Sequence, residues 1–125
     1  MVLLDTNIYL WWLDSPSKIS SEARSLIEDP ATTVFVSGAV PWEISVKKKI
    51  GKLEAPDDVM SFMEQERFLE LSISHQHTGA LQQLPDIHKD PFDRIQIAQA
   101  LVENLYFITR DSNVLQYNLI KTIKG

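Results

Sequence analysis

Between His88 and Ala100 the chain reads His-Lys-Asp-Pro-Phe-Asp-Arg-Ile-Gln-Ile-Ala-Gln-Ala, and Pro91 fixes what this stretch can become. Proline disfavours the helical region for the residue before it yet suits a first helical turn, so a helix is expected from Phe92 or Asp93 with Asp90 outside it. Ile95, Ile97, Ala98, Leu101 and Val102 then give a broad apolar surface, and Gln96, Gln99 and Glu103 are predicted on the opposite side. Such a helix is mostly buried. Taken alone, Asp93 reads as an acid complementing the helix dipole and Asp90 as an N-cap, and neither needs any chemistry.

Short apolar runs supply the sheet. Val2 to Leu4 is a buried strand that stops abruptly at Asp5, and Thr33 to Val36 leaves through Ser37 and Gly38. Phe68 to Ile73, Leu105 to Ile108 and Leu119 to Ile123 complete the predicted strands, with Thr109, Arg110 and Asp111 after the fourth. Between them Thr6 is placed to cap a helix bearing Ile8, Trp11 and Trp12, and Ser20 or Ser21 one bearing Ala23, Leu26 and Ile27. The tryptophan pair suits a core or an interface better than base stacking.

The next helix carries Trp42, Val46 and Ile50 on one face and ends at Gly51, a left-handed cap. Pro56, Asp57 and Asp58 open a further helix with Val59, Phe62 and Met63 inward, a polar helix runs from Ser74 toward Leu84, and a short helix holds Val114, Leu115 and Tyr117. His75 and His77 are two apart, a spacing that points them to different helix faces, so both are expected at the surface.

Strands alternating with helices imply an α/β fold with a mainly parallel sheet covered on both faces, in which ligands gather beyond the carboxyl ends of the strands. One domain over residues 1–125 is expected from the length and the 44% hydrophobic content. The absence of cysteine excludes thiol catalysis, disulfides and thiolate metal sites. No apolar run approaches the ~20 residues of a membrane span and the N-terminus lacks a basic region, so a cytoplasmic protein without membrane contact is expected. A net charge of −5 argues against wholesale binding of nucleic acid and leaves room for a local groove.

Acids follow the strands. Asp5 ends the first, Glu43 lies early in the helix after the second, Asp111 lies just past the fourth, and Asp93 opens the helix that feeds it. Carboxylates gathered on one rim repel one another, and one or two oxygen-ligated divalent cations, Mg²⁺ or Mn²⁺, resolve that repulsion. Lys47, Lys48, Lys49 and Lys52 complement the end of their helix; a solvated basic face and a phosphate-contacting role for Lys47 both remain open.

The sequence resembles the PIN-domain ribonucleases, and within them the VapC-like toxins of type II toxin–antitoxin pairs. The likeness rests on Leu3, Leu4, Asp5, Thr6 and Asn7; on Ser37 through Trp42, Glu43, Ile44, Lys47, Gly51, Lys52 and Leu53; on His88 to Ala100; and on Thr109 with Asp111. Pro41 departs from the small or aliphatic residue usual before the glutamate. The resemblance implies a PIN-like three-layer α/β/α fold and a metal-binding catalytic quartet of Asp5, Glu43, Asp93 and Asp111. Asp5 and Asp93 are then the first direct ligands, Glu43 a ligand or water-orienting group, and Asp111 a second-metal or water-mediated ligand.

It further implies hydrolysis of an RNA phosphodiester to a 5′-phosphate and a 3′-hydroxyl. Asn7, Asp90 and Thr109 are placed to hold the ligands, Arg94 or Lys47 to meet RNA phosphate, and His88 to hydrogen-bond rather than act as a base. A homodimer and a small VapB-like antitoxin shielding the acids complete the expectation. Two alternatives stand beside it: a non-catalytic PIN-like binding module, and a phosphoaspartate receiver. The receiver is disfavoured because Asp5 is single and Arg110 sits where a lysine belongs.

Overall fold

The computed structural model describes residues 1–125. In chain order the elements are β1 (Val2–Leu4), α1 (Thr6–Asp14), α2 (Ser21–Glu28), β2 (Val34–Ser37), α3 (Ala39–Lys49), β3 (Leu69–Leu71), α4 (His75–Ala80), α5 (Pro91–Glu103), β4 (Tyr106–Thr109) and β5 (Lys121–Lys124). Every strand pairing is parallel and the order across the sheet is β3-β2-β1-β4-β5. The chain therefore winds outward from β1 to β3, then crosses back to lay β4 on the other side of β1. Beyond the carboxyl ends of β1 and β4 lies the switch point where such sheets open a crevice.

Alternation along the strands divides the apolar residues between the two faces. Val2 and Leu4 of β1, Val34 and Val36 of β2 and Ile108 of β4 join one buried cluster with Ile8, Tyr9, Ala23, Ile27, Val40 and Ile44 from α1, α2 and α3. Leu3 and Phe107 face the opposite way and join Ala80, Ile97, Ala98 and Ala100 from α4 and α5. Helices thus cover the sheet on both sides, as the alternating pattern requires.

Local signals placed most helix ends. Pro91 is the first residue of α5, and Asp90 caps it by accepting from the backbone N–H groups of Phe92 and Asp93. Ser20 caps α2 by accepting from Ala23 N. Gly51, with φ of 76°, follows the end of α3, where left-handed backbone is free of the penalty a side chain would add.

Other expectations need correction. Thr6 does not cap α1; Asp5 takes that position, its side chain makes no capping bond, and both side chains are released toward the site. The helix expected after Pro56 is a single 3-10 turn, Val59–Phe62, and the one expected around Val114 is likewise one turn, Val114–Gln116. The helix from Ser74 yields to a 3-10 turn after Ala80. Gln96 and Gln99 are fully buried, because α5 is enclosed all round: Gln96 donates to Phe92 O and Thr6 Oγ1, and Gln99 to the carbonyls of Leu71 and Ser72. Trp42, Val46 and Ile50 do share a face, and that face is turned to solvent.

His77 is the sharpest correction: it is buried, whereas His75 is exposed as expected. Ser74 N donates to His77 Nδ1 at 3.0 Å while Ser74 Oγ accepts from His77 N, a reciprocal cap for α4. With Nδ1 accepting, the ring proton sits on Nε2 and is donated to Glu103 Oε2 at 2.7 Å, which ties α4 to α5. His77→Ala removes the cap contact and leaves a cavity, so a loss of about 2 kcal/mol in stability is expected. A urea melt at neutral pH checks it; an unchanged midpoint would refute the latch.

A candidate metal-dependent active site at the sheet switch point

Four elements deliver the acids. Asp5 leaves β1, Glu43 comes from the first turns of α3, Asp93 from the first turn of α5, and Asp111 from the loop after β4. Asp93 is the common member of two tight groups. With His88 and Asp111 it forms one set whose ligating atoms all lie within 4.8 Å of one another; with Glu43 and Asp90 it forms another. Asp5 is fully enclosed and lies close enough for its charge to act on Asp93. The quartet expected from the sequence is therefore brought together on one rim.

Hydroxyl, amide, ammonium and imidazole donors hold the carboxylates in place. Thr109 Oγ1 donates to Asp5 Oδ2 at 2.6 Å while accepting from the backbone N–H of Asp111, so one hydroxyl spans two acids. Thr6 Oγ1 donates to Glu43 Oε1 and accepts from Gln96 Nε2. Lys47 Nζ bonds Glu43 Oε2 and, at 3.2 Å, Asp90 Oδ2. His88 accepts from Asp90 N at Nδ1, so its Nε2 carries the proton and faces Asp93 Oδ2 at 2.7 Å and Asp111 Oδ2 at 3.2 Å.

Electrostatics follow from this crowding. Burial pushes the Asp93 carboxyl up to about 8, reinforced by the charges of Asp5, Asp90 and Glu43 and only partly opposed by Lys47. Burial likewise lifts Asp5 to about 6 against the Thr109 hydrogen bond, with Glu43 and Asp111 adding to the rise. Burial also acts to raise Asp90, but the N–H of Asp93 and the charge of Lys47 prevail and hold it low. Lys47 is held above its usual range: its own burial opposes this, and Glu43 and Asp90 overcome it.

A carboxyl whose folded pKa exceeds its unfolded value of about 4 binds its proton more tightly when folded. That contribution to stability is complete below about pH 4 and is lost as pH rises through 6 for Asp5 and 8 for Asp93. Asp90 acts in the opposite sense only at acid pH, where protonation would cost its pair with Lys47. Between about pH 5 and 8 the protein in chelator is therefore expected to melt progressively lower, whereas divalent metal, which takes the ionised acids, should flatten the slope. Chelator melts that rise with pH across this window would contradict the arrangement.

The donor chemistry fits a hard cation. The converging atoms are carboxylate oxygens with one histidine nitrogen at the margin, a set that could hold a divalent cation. The remaining sequence-predicted residues divide. Thr109 bonds Asp5, and Asp90 lies in the group with Glu43 and Asp93. Asn7 is exposed and its side chain makes no hydrogen bond within the chain. Arg94 directs its guanidinium at the carbonyls of Leu81, Pro85 and His88, bracing the loop before α5 instead of facing the rim. Thr6 and Gln96 were not assigned to the site from sequence. Gln96 lies three residues after Asp93, on the same helix face, and that spacing was the available signal.

The model of the PIN domain matches residues 2–118. A stretch of 63 residues, 31% identical, pairs 47% of this chain with 45% of Ribonuclease VapC16 of Mycobacterium tuberculosis (strain ATCC 25618 / H37Rv), so the match spans less than half of that relative. Among solved structures, VapBC2 from Rickettsia felis bound to a DNA fragment superposes with a TM-score of 0.72 at 16% identity over 98% of both chains. DNA-bound VapBC from Salmonella typhimurium gives 0.70 at 17% identity, again over 98% of both. A toxin–antitoxin complex from Klebsiella pneumoniae gives 0.66 at 20% identity, over 99% of this chain and 97% of that one. At these identities the superpositions establish the fold, and the match over residues 2–118 establishes the lineage: this chain belongs to the PIN domain family.

Proposed function

We propose that this chain is a metal-dependent endoribonuclease and the toxin of a toxin–antitoxin pair. The observation that carries the reading is the convergence of Glu43 and Asp111 on Asp93, with Asp5 close enough for its charge to act on all three, from four separate elements at the switch point of the sheet. Family membership and the partial match to a ribonuclease of the VapC group support it.

Asp5 and Asp93 are the principal ligands in this reading, with Glu43 and Asp111 completing the set. A bound Mg²⁺ or Mn²⁺ supplies neutralisation of phosphoryl charge and activation of water for in-line hydrolysis. The chain's own residues set the geometry. Thr109 orients Asp5, and Thr6 orients Glu43, so each carboxylate presents a defined oxygen. Lys47 pairs with Glu43, helps hold the Asp90 carboxyl low, and places a cation at the rim, where it can meet a phosphate oxygen. His88 keeps its proton on Nε2 between Asp93 and Asp111, which suits hydrogen bonding to carboxylates and leaves that atom no lone pair for a base. Attack by water at phosphorus breaks the bond to the 3′ oxygen and leaves a 5′-phosphate and a 3′-hydroxyl.

The receiver alternative fails on topology: flavodoxin-like receivers order their strands 2-1-3-4-5, and this sheet runs 3-2-1-4-5. A non-catalytic module is separated by assay. Purified protein should cleave single-stranded RNA with Mg²⁺ or Mn²⁺ and stop in excess chelator; cleavage unaffected by chelator would refute the mechanism. The partner in this reading is a small antitoxin that covers the rim, with an arginine as the natural counter-ion for four acids. A homodimer is part of the same proposal. The solved VapBC2 from Rickettsia felis and the toxin–antitoxin complex from Klebsiella pneumoniae share this fold, and apolar side chains including Leu69, Tyr106 and Leu119 remain exposed. No helix is long and apolar enough to cross a membrane.

A further inference from the structure

Trp42 immediately precedes Glu43 on α3, yet 54% of it is exposed, while its neighbour in sequence is buried. An exposed tryptophan is ordinarily free to change rotamer; this one packs edge-on against Phe92, with centroids 4.6 Å apart and ring planes at 80°. Phe92 is itself buried, precedes Asp93, and is anchored by its N–H to Asp90. Two aromatic rings thus flank the acid rim, the inner one fixed and the outer one resting on it with surface to spare. Lys47 Nζ lies 5.9 Å from the Phe92 centroid, on the lysine that bridges Glu43 and Asp90.

The same helix face carries a charge suited to a polyanion. Lys49 lies seven residues after Trp42, two helical turns and about 10 Å along α3, and is exposed. Unlike Lys48, which pairs with Asp57, and Lys47, which pairs with Glu43 and Asp90, Lys49 forms no ion pair within the chain. A strand approaching four carboxylates is repelled by them, so groups outside the rim must add to what Lys47 supplies there. A fixed aromatic surface and an unpaired ammonium do so, the combination that grips single-stranded nucleic acid without reading its sequence.

We propose that Trp42 is a stacking platform for an unpaired nucleobase of an RNA strand whose backbone crosses the acid rim, with Lys49 meeting a phosphate of that strand. The inference rests on the ribonuclease reading for the identity of the strand. Trp42 is a positioning residue: it holds the base and thereby sets which phosphodiester lies over the acids.

The test reads binding apart from cleavage. A fluorescein-labelled 12-nucleotide single-stranded RNA, and the same strand with abasic sites, are titrated with the full chain in chelator, with anisotropy as the readout. One stacked base is worth about 1–3 kcal/mol, so Trp42→Ala should weaken binding of the intact strand by about 5- to 150-fold. The abasic strand should bind wild type and Trp42→Ala almost alike. Trp42→Phe should recover most of the affinity and Trp42→Leu should not, because a flat ring rather than apolar bulk is what stacks. Lys49→Ala should weaken both strands equally and flatten the salt dependence. Circular dichroism confirms that each variant is folded.

Equal binding by wild type and Trp42→Leu overturns the platform, as does an equal loss on intact and abasic strands. Unchanged RNA binding with a lost oligomer assigns the face to protein contact and likewise overturns it. A parallel cleavage assay in Mn²⁺ separates the two readings. Wild-type cleavage with the same KM in Trp42→Ala sinks the platform alone, whereas base-dependent binding without cleavage supports the platform and sinks the nuclease.

Discussion

Asp93→Asn is expected to reduce RNA cleavage in Mg²⁺ or Mn²⁺ by more than about 100-fold, beyond the 10- to 100-fold typical of losing a group that only orients a ligand. Asp93 belongs to both groups of converging ligand atoms, so no other single substitution touches as much of the site. The amide keeps the shape, the first-turn position and an oxygen to accept from His88; it removes the charge and turns the second oxygen into a donor. Thr109→Val offers the comparison. It removes the hydroxyl that spans Asp5 and Asp111 and should cost only 10- to 100-fold, the range for orienting groups. In wild type at subsaturating metal, cleavage should also climb as pH rises toward 8, because the ionised carboxylate is the ligand form. An Asp93→Asn protein that cleaves at the wild-type rate would end the proposed chemistry.

Asp5→Asn should separate metal binding from folding in a single thermal melt. A metal that binds only the native form stabilises it by about 2.7 kcal/mol at 100 times its dissociation constant, on the order of 10 °C for a domain of this size. Wild type should show that shift. The variant loses a buried charge pushed up to about 6, keeps an oxygen for Thr109, and in chelator should melt at the same temperature or higher. It should gain much less from metal. Were Asp5 only the cap of α1, the variant would lose about 1 kcal/mol or less in chelator and respond to metal as wild type does. That outcome would remove Asp5 from the site. The capping account is already weak, since the Asp5 side chain makes no capping hydrogen bond to α1.

The expectations that held were those carried by local chemistry. Pro91, Ser20 and Gly51 each act on their nearest neighbours through fixed backbone preferences, and the structure has them where those preferences put them. The apolar runs ending at Asp5 and before Asp111 located the strand exits, and a parallel sheet then left one crevice for the acids to share. The misses share a cause of the opposite kind. Gln96, Gln99 and His77 are polar side chains whose burial depends on what packs over them from distant parts of the chain. Hydrophobic periodicity assigns such residues to solvent, and only a partner such as Thr6 or Glu103 tells otherwise. Trp42 fails in mirror image: its apolar ring matches a core face, but α3 turns that face outward.

The hydroxyl that steadies Asp5 belongs to Thr109, a partner 104 residues away, and the Asp5 amide itself donates to Ile108 O. Contacts of such long range close late, because the loop entropy must be met before they form. A chain emerging at about 5–20 residues per second therefore spends roughly 5–20 s with its first acid exposed and no rim to join. On the ribonuclease reading proposed above, no cleavage can precede the synthesis of Thr109 and Asp111. A partner proposed to cover the rim therefore has no assembled rim to cover until those residues have joined Asp5.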